Sequence, residues 1–189
     1  MALKNKIKKG EYGYIDSMKK TTLVKTLVLF LASACVFFSG YMAFGKKENI
    51  VTVFAVLLVL PASRSLVNAI MFMRFSSGDR SLYEKAREKA DLSRCFFDSI
   101  LTLERGGSYR VPMYYCNPGE IFVILPGGSK DREGIKSHLE SMLKKNGHKN
   151  SVRIVDNTER FFSTLPKNAK AEADDETKEV LELIGAISL

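Results

Sequence analysis

Two apolar stretches lie back to back near the start of the chain, and a lysine-rich arm precedes them. The first runs from Thr26 to Phe44 without a charge, the second from Ile50 to Met73. A run of about 19 residues makes a helix about 28 Å long, which matches a hydrocarbon core of about 30 Å. Lipid satisfies no backbone hydrogen bond, so such runs can only become helices there. The intervening Gly45-Lys46-Lys47-Glu48-Asn49 has room for a turn and nothing more. A cleaved signal peptide is the competing reading. The long arm, the length of the first run and a second run close behind it argue against that.

The second run is less clean. Ile50 to Leu60 is too short to span, so the span must continue through Pro61-Ala62-Ser63-Arg64 to Met73. Proline removes one backbone donor, and neighbouring groups such as Ser63 can re-satisfy the freed carbonyl. A central arginine costs roughly 2.5–3.5 kcal/mol on insertion scales. Arg64 with Ser63 is therefore a candidate polar site within the membrane. Arg64 has three readings: it snorkels toward the cytoplasmic face, it contacts polar groups of the first span or a partner chain, or it lines an ion or substrate path. A single hairpin offers too little wall for a path unless the chain forms a homo-oligomer.

The net charge of +8 first points to nucleic acid or acidic lipid. Its distribution points to lipid. Residues 1–75 hold eleven of the 29 bases and three of the 21 acids, which leaves eighteen of each in residues 76–189. A balanced domain lacks the electrostatic footprint of a phosphate-backbone binder, so nucleic acid is disfavoured as a partner. Seven lysines precede the first run and two lie in the turn, which places both termini in the cytoplasm. The lysines of the arm read either as an ordinary topology signal or as a sensor of anionic lipid headgroups, each contributing about 1 kcal/mol. Three cysteines without CxxC spacing fit a reducing compartment better than a disulfide framework.

The arm Lys8-Lys9-Gly10-Glu11-Tyr12-Gly13-Tyr14-Ile15 and the segment Leu60-Pro61-Ala62-Ser63-Arg64-Ser65 resemble those of a family of small two-span membrane proteins from Gram-positive anaerobes. The resemblance implies topology and no activity.

The expected organisation is a basic arm (1–25), a transmembrane hairpin (26–75, with spans 26–44 and 50–73) and a cytoplasmic α/β (α+β) domain (76–189). In that domain Ser81-Leu82-Tyr83-Glu84 matches a capping box opening a helix to Ala90. Strands follow at Cys95–Leu103, at Tyr109–Cys116 and at Glu120–Leu125, with turns at Arg105-Gly106-Gly107-Ser108 and Asn117-Pro118-Gly119. Pro112 marks the second strand as an edge or a bulge. Ser129 is a candidate N-cap for a helix whose apolar stripe is Ile135, Leu139, Met142 and Leu143. A strand at 151–155, a helix at 158–165 and a last helix at 176–187 complete an αβββαβα order. The αβββαβ part resembles the restriction-endonuclease-like core. That resemblance implies an acid on the second strand and a Glu/Asp-x-Lys on the third. Neither is present here, so only the architecture carries over.

Gly127, Gly128, Ser129 and Lys130 form a β–α loop that reads as a plain turn or as an anion cradle at a helix N-terminus. It lacks the spacings of the nucleotide-binding loops. His138 and His148 have no ligand partner at metal spacing, and pairing either with Cys95 or Cys116 as base and nucleophile is a matter of chance. The aromatic set Phe96, Phe97, Tyr109, Tyr114, Tyr115 and Phe122 reads as core, with base stacking the alternative. Neither a catalytic residue nor a cofactor or metal is expected. The functional expectation is a membrane-anchored module that binds or scaffolds a cytoplasmic protein at the cell membrane. A tethered divergent nuclease or phosphate-handling enzyme is one alternative, and the test is whether Glu84, Glu88, Asp98 and Glu120 converge. A transport or channel accessory subunit using Arg64 is the other.

Overall fold

The computed structural model describes residues 7–46, 48–103, 107–125, 131–166 and 168–189. It divides into two compact units, Ile15–Ser76 and the chain up to Tyr14 together with Ser77–Leu189.

The first unit is a helical hairpin of α1 (Tyr14–Phe44) and α2 (Ile50–Met73). α1 starts well ahead of the apolar run, because nothing between Asp16 and Lys25 breaks a helix and Asp16 lies in its first turn, near the positive end of the dipole. Pro61 sits inside α2 without ending it. The two helices meet along small residues: Thr22, Thr26, Ser33 and Gly40 on α1, and Ala55, Ala62, Ser65 and Ala69 on α2. Small side chains let two backbones approach closely. The Thr26 hydroxyl donates to Ser65 Oγ at 2.8 Å, and Ser33 donates to the Ala55 carbonyl at 2.8 Å. Asn49 caps α2 by accepting from the Thr52 N–H. Both helices are long and apolar enough to cross a membrane, and only 11% and 17% of their most apolar windows are buried. The outward leucines, valines and phenylalanines of both helices are exposed.

The second unit is a three-layer α/β/α domain. Its order is α3 (Arg80–Lys89), a 3-10 turn (Leu92–Arg94), β1 (Cys95–Thr102), β2 (Ser108–Asn117), β3 (Glu120–Ile124), α4 (Arg132–Lys145), β4 (Ser151–Val155), α5 (Thr158–Thr164) and α6 (Asp175–Ile187). The four strands lie in the order β1-β2-β3-β4. The first three are antiparallel, and β3 pairs in parallel with β4 through the α4 crossover. α4 and α6 cover one face, burying Ile135, Leu139, Leu143, Val180 and Ile184 against Tyr114, Ile121 and Val123. α3 and α5 cover the other, burying Leu82, Ala86, Phe161 and Phe162 against Phe97, Tyr115 and Phe122.

The mixed architecture and the element order of the expectation stand, with shifted boundaries. α3 is capped by Asp79, not Ser81. α4 is capped by Asp131, whose carboxylate accepts from the Gly134 N–H at 3.0 Å. The expected cap Ser129 lies outside the described residues, as do Arg105 and Gly106 of the first turn. In both helices an aspartate, a strong N-cap, stood close to the expected one. Pro112 lies on the internal strand β2, so it marks an irregularity and not an edge. Its position opposite Asp98 is left out of the ladder between Phe97↔Met113 and Ser99↔Val111. The alternation of faces slips there on both strands. Phe96 and Leu101 consequently share one core, as do Tyr114 and Val111, where strict period-two alternation would separate them. Pro112 brings no N–H to that position, and Asp98 turns away from strand geometry with φ +50°.

Both edges of the sheet are managed. On β1 the Phe97 N–H donates to the Gly10 carbonyl at 2.8 Å, and the Leu189 N–H donates to the Ile100 carbonyl at 2.9 Å. On β4 the Glu140 carboxylate accepts from the Val152 N–H at 3.3 Å. Covering an edge removes a template for unwanted pairing.

Candidate functional site

The most distinctive chemistry of the domain gathers on β1, where the chain segments that precede and follow the hairpin meet the sheet. Asp98 is 1% exposed and is the one charged residue of β1. Its Oδ2 accepts from the Gly13 N–H at 2.7 Å, and its Oδ1 accepts from the Gly78 N–H at 2.6 Å. Gly13 immediately precedes α1, and Gly78 follows α2 by five residues. One carboxylate thus holds the segment entering the hairpin and the segment leaving it. Arg110 adds a bond from Nη1 to the Ser77 carbonyl at 3.1 Å. Charge-assisted bonds of this length are the stronger kind.

The arm is docked along its length. Gly10 forms a bridge with Phe97, and its φ of +90° and the Phe96 ring 2.7 Å from where a Cβ would stand leave room only for glycine. Tyr12 stacks on Tyr83 at 5.0 Å between centroids, and Tyr83 meets Phe97 edge-on at 5.4 Å. Lys9 Nζ donates to the Ser188 carbonyl at 2.6 Å, and burial pulls the Lys9 ammonium below its ordinary pKa. Beneath residues 7–12 lies a cleft of about 590 Å³, lined chiefly by Tyr12, Tyr83, Leu92, Cys95, Phe96 and Phe97. Its walls are mainly aromatic, with Lys9 and Glu11 at the arm.

The thiol that lines this cleft, Cys95, is not an activated nucleophile. Burial, reinforced by the nearby Asp91 charge, pushes the Cys95 thiol up to about 12. Burial also drives Cys116 and Tyr114 upward. Unfolded thiols would ionise from about pH 9.0, whereas the folded ones stay protonated. Proton loss above that point therefore favours the unfolded state. Stability should be full below pH 9 and should decline from there toward pH 12, with a shallower decline for Cys116→Ala, as thermal unfolding against pH would show.

The carboxylates that a nuclease would need do not converge. Asp98 is occupied by the two backbone donors. Glu84 pairs with Arg80 at 2.9 Å, Glu120 pairs with Arg153 at 2.8 Å, and Glu88 is exposed on α3. Among the described residues no three His, Cys, Asp or Glu side chains gather as a metal site requires. A second hollow of about 430 Å³ follows β4, lined by Glu120, Arg132, Lys136 and Arg153 among others. Its charges are largely compensated, Arg132 reaching Asp156 at 3.3 Å. The aromatic set is mostly core, with Tyr114, Tyr115, Phe96, Phe97 and Phe122 all buried.

No family model matches the chain, and no curated protein or solved structure matches it.

Gly127, Gly128, Ser129 and Lys130 lie outside the described residues. Ser63 and Arg64 are exposed on α2, and it is the neighbouring Ser65 that bonds α1. Reading the sequence missed the docked arm and the clamp. A lone aspartate amid apolar strand residues, opposite a strand proline, was the available signal, along with two glycines flanking Tyr12.

Proposed function

We propose that the chain is a two-span membrane protein whose α/β domain is a tethered, non-catalytic binding or scaffold module on the cytoplasmic side of the cell membrane. The carrying observation is Asp98, whose carboxylate accepts from the backbone on both sides of the hairpin. The clamp holds the chain on either side of the hairpin to the domain's own sheet, as a tethered module requires. The lysine imbalance supports cytoplasmic termini, and the exposed apolar surface of α1 and α2 supports lipid as their solvent. The element order supports a restriction-endonuclease-like architecture without its carboxylate cluster, and the residues of the arm at 8–15 and of α2 at 60–65 support kinship with the small two-span family. The partners on this reading are the bilayer, anionic headgroups near the basic arm and a cytoplasmic protein.

Three measurements test this. Alkaline carbonate should leave the full-length protein in the membrane. Protease added to intact cells should spare tags at both termini. Crosslinking in cells should retrieve the same protein partner from the wild type repeatedly. Release by carbonate, or cleavage of either tag from outside, overturns the topology, and hydrolysis of a phosphodiester by purified protein overturns the non-catalytic assignment.

A further inference from the structure

We propose that Lys25, Arg64 and Asn68 form a binding site for the phosphate of an anionic lipid headgroup, on one face of the helical hairpin. The proposal rests on the two-span reading and goes past it by assigning Arg64 a partner.

The register of the hairpin places these three together. Thr26 bonds Ser65 at 2.8 Å. Fourteen residues on along α1 and fourteen back along α2, Gly40 packs so tightly on Val51 that an added Cβ would lie 2.8 Å from the valine Cβ. The antiparallel register is therefore constant over about four turns. It sets position 66 of α2 beside Lys25. Arg64 and Asn68 lie two residues to either side of that position, about 3 Å below and above it at 1.5 Å per residue.

The three also share a side. Thr26, Ser65 and Ala69 are buried in the seam between the helices. Lys25, Arg64 and Asn68 each precede one of them by one residue. In an antiparallel pair, a step back of about 100° on either helix turns toward the same side. All three are exposed.

The chemistry selects an anion. The cluster offers an ammonium, a guanidinium fork and an amide. α2 contains no acidic residue, and α1 has none after Asp16, which pairs with Lys19 at 3.2 Å. The counter-charge must come from outside the hairpin. Lys25 is the last charge before the apolar run of α1, so it stands at the end of that run, and side chains as long as arginine can snorkel from α2 to the same headgroup level. Lipid phosphates occupy that depth, and arginine binds phosphate in a two-pronged geometry.

The test uses the full-length protein in detergent, titrated with phosphatidylglycerol and examined by native mass spectrometry. Phosphatidylcholine and inorganic phosphate form the comparison arms. The wild type should retain phosphatidylglycerol in preference to phosphatidylcholine. Lys25→Gln and Arg64→Gln should each weaken retention about fivefold, and Asn68→Leu should weaken it less. Lys46→Gln, in the turn at the far end, should leave it unchanged. Equal retention by the double variant Lys25→Gln/Arg64→Gln overturns the site, as does equal preference for phosphatidylcholine. Displacement of the lipid by inorganic phosphate overturns the lipid assignment. Carbonate extraction of the same proteins separates the two readings. Release from the membrane sinks the two-span reading, whereas retention without headgroup preference sinks only this site.

Discussion

Asp98→Ala should destabilise the domain by about 3 kcal/mol and free both segments that flank the hairpin. The variant removes two charge-assisted bonds, each contributing about 1.5–3 kcal/mol, from a carboxylate that is 1% exposed. Water can reach the partly buried Gly13 and Gly78 N–H groups, which keeps the loss toward the lower end. Alanine at φ +50° adds a steric cost that aspartate tolerates better. Asp98→Gly should therefore destabilise less than Asp98→Ala, by about 1 kcal/mol. Asp98→Asn keeps one acceptor and should fall between them and the wild type. Thermal unfolding of the full-length protein in micelles measures the three differences. Trypsin supplies a local readout, because the variant should be cut at Lys8 and Lys9 at temperatures where the wild type resists. Unchanged unfolding together with unchanged cleavage would show that the clamp contributes nothing to holding the arm.

Arg94→Leu should be comparably damaging, for a different reason. Arg94 is 5% exposed and donates to the carbonyls of Ala171 and Glu172 at 2.8 and 3.1 Å and to Asn117 Oδ1 at 2.8 Å. It ties the polar link before α6 to the end of β2. Leucine restores the bulk but leaves three acceptors without their donor, a loss of about 3 kcal/mol. Arg94→Lys keeps the charge and loses the planar fork, so it cannot serve all three acceptors at once and should recover only part of the loss. The damage should be regional. Backbone amides of residues 169–174 and of the first turn of α6 should exchange faster, while those of β3 and α4 hold their protection. Uniform acceleration across the domain would contradict this assignment of Arg94 to the link.

The elements with a strong periodic signal were legible from residues alone. Of the stripe Ile135, Leu139, Met142 and Leu143, all but the half-buried Met142 lie in the core, and so do Val180 and Ile184. The continuous apolar run at β3 is buried on both faces. Caps were less legible, because Asp79 and Ser81 are both competent and only the backbone geometry at Asp79 decides between them. The polar seam was hidden for a similar reason. Thr26, Ser33 and Ser65 differ little from other hydroxyl residues in an apolar run until a second helix stands opposite them.

Composition and pattern by themselves determined the two apolar helices, the location of the excess positive charge and the order of elements in the domain. These depend on neighbours in the chain, where hydrophobicity, helical period and turn chemistry act over a few residues. Only the tertiary structure decided what Asp98 does, which glycines the arm needs and which α1 residue stands beside Arg64. Asp98 and Gly13 are 85 residues apart, and local preference carries no information over such a separation. Their meeting depends on the slip at Asp98 and Pro112 and on the docking of the arm against β1, which appear only when the strands are paired.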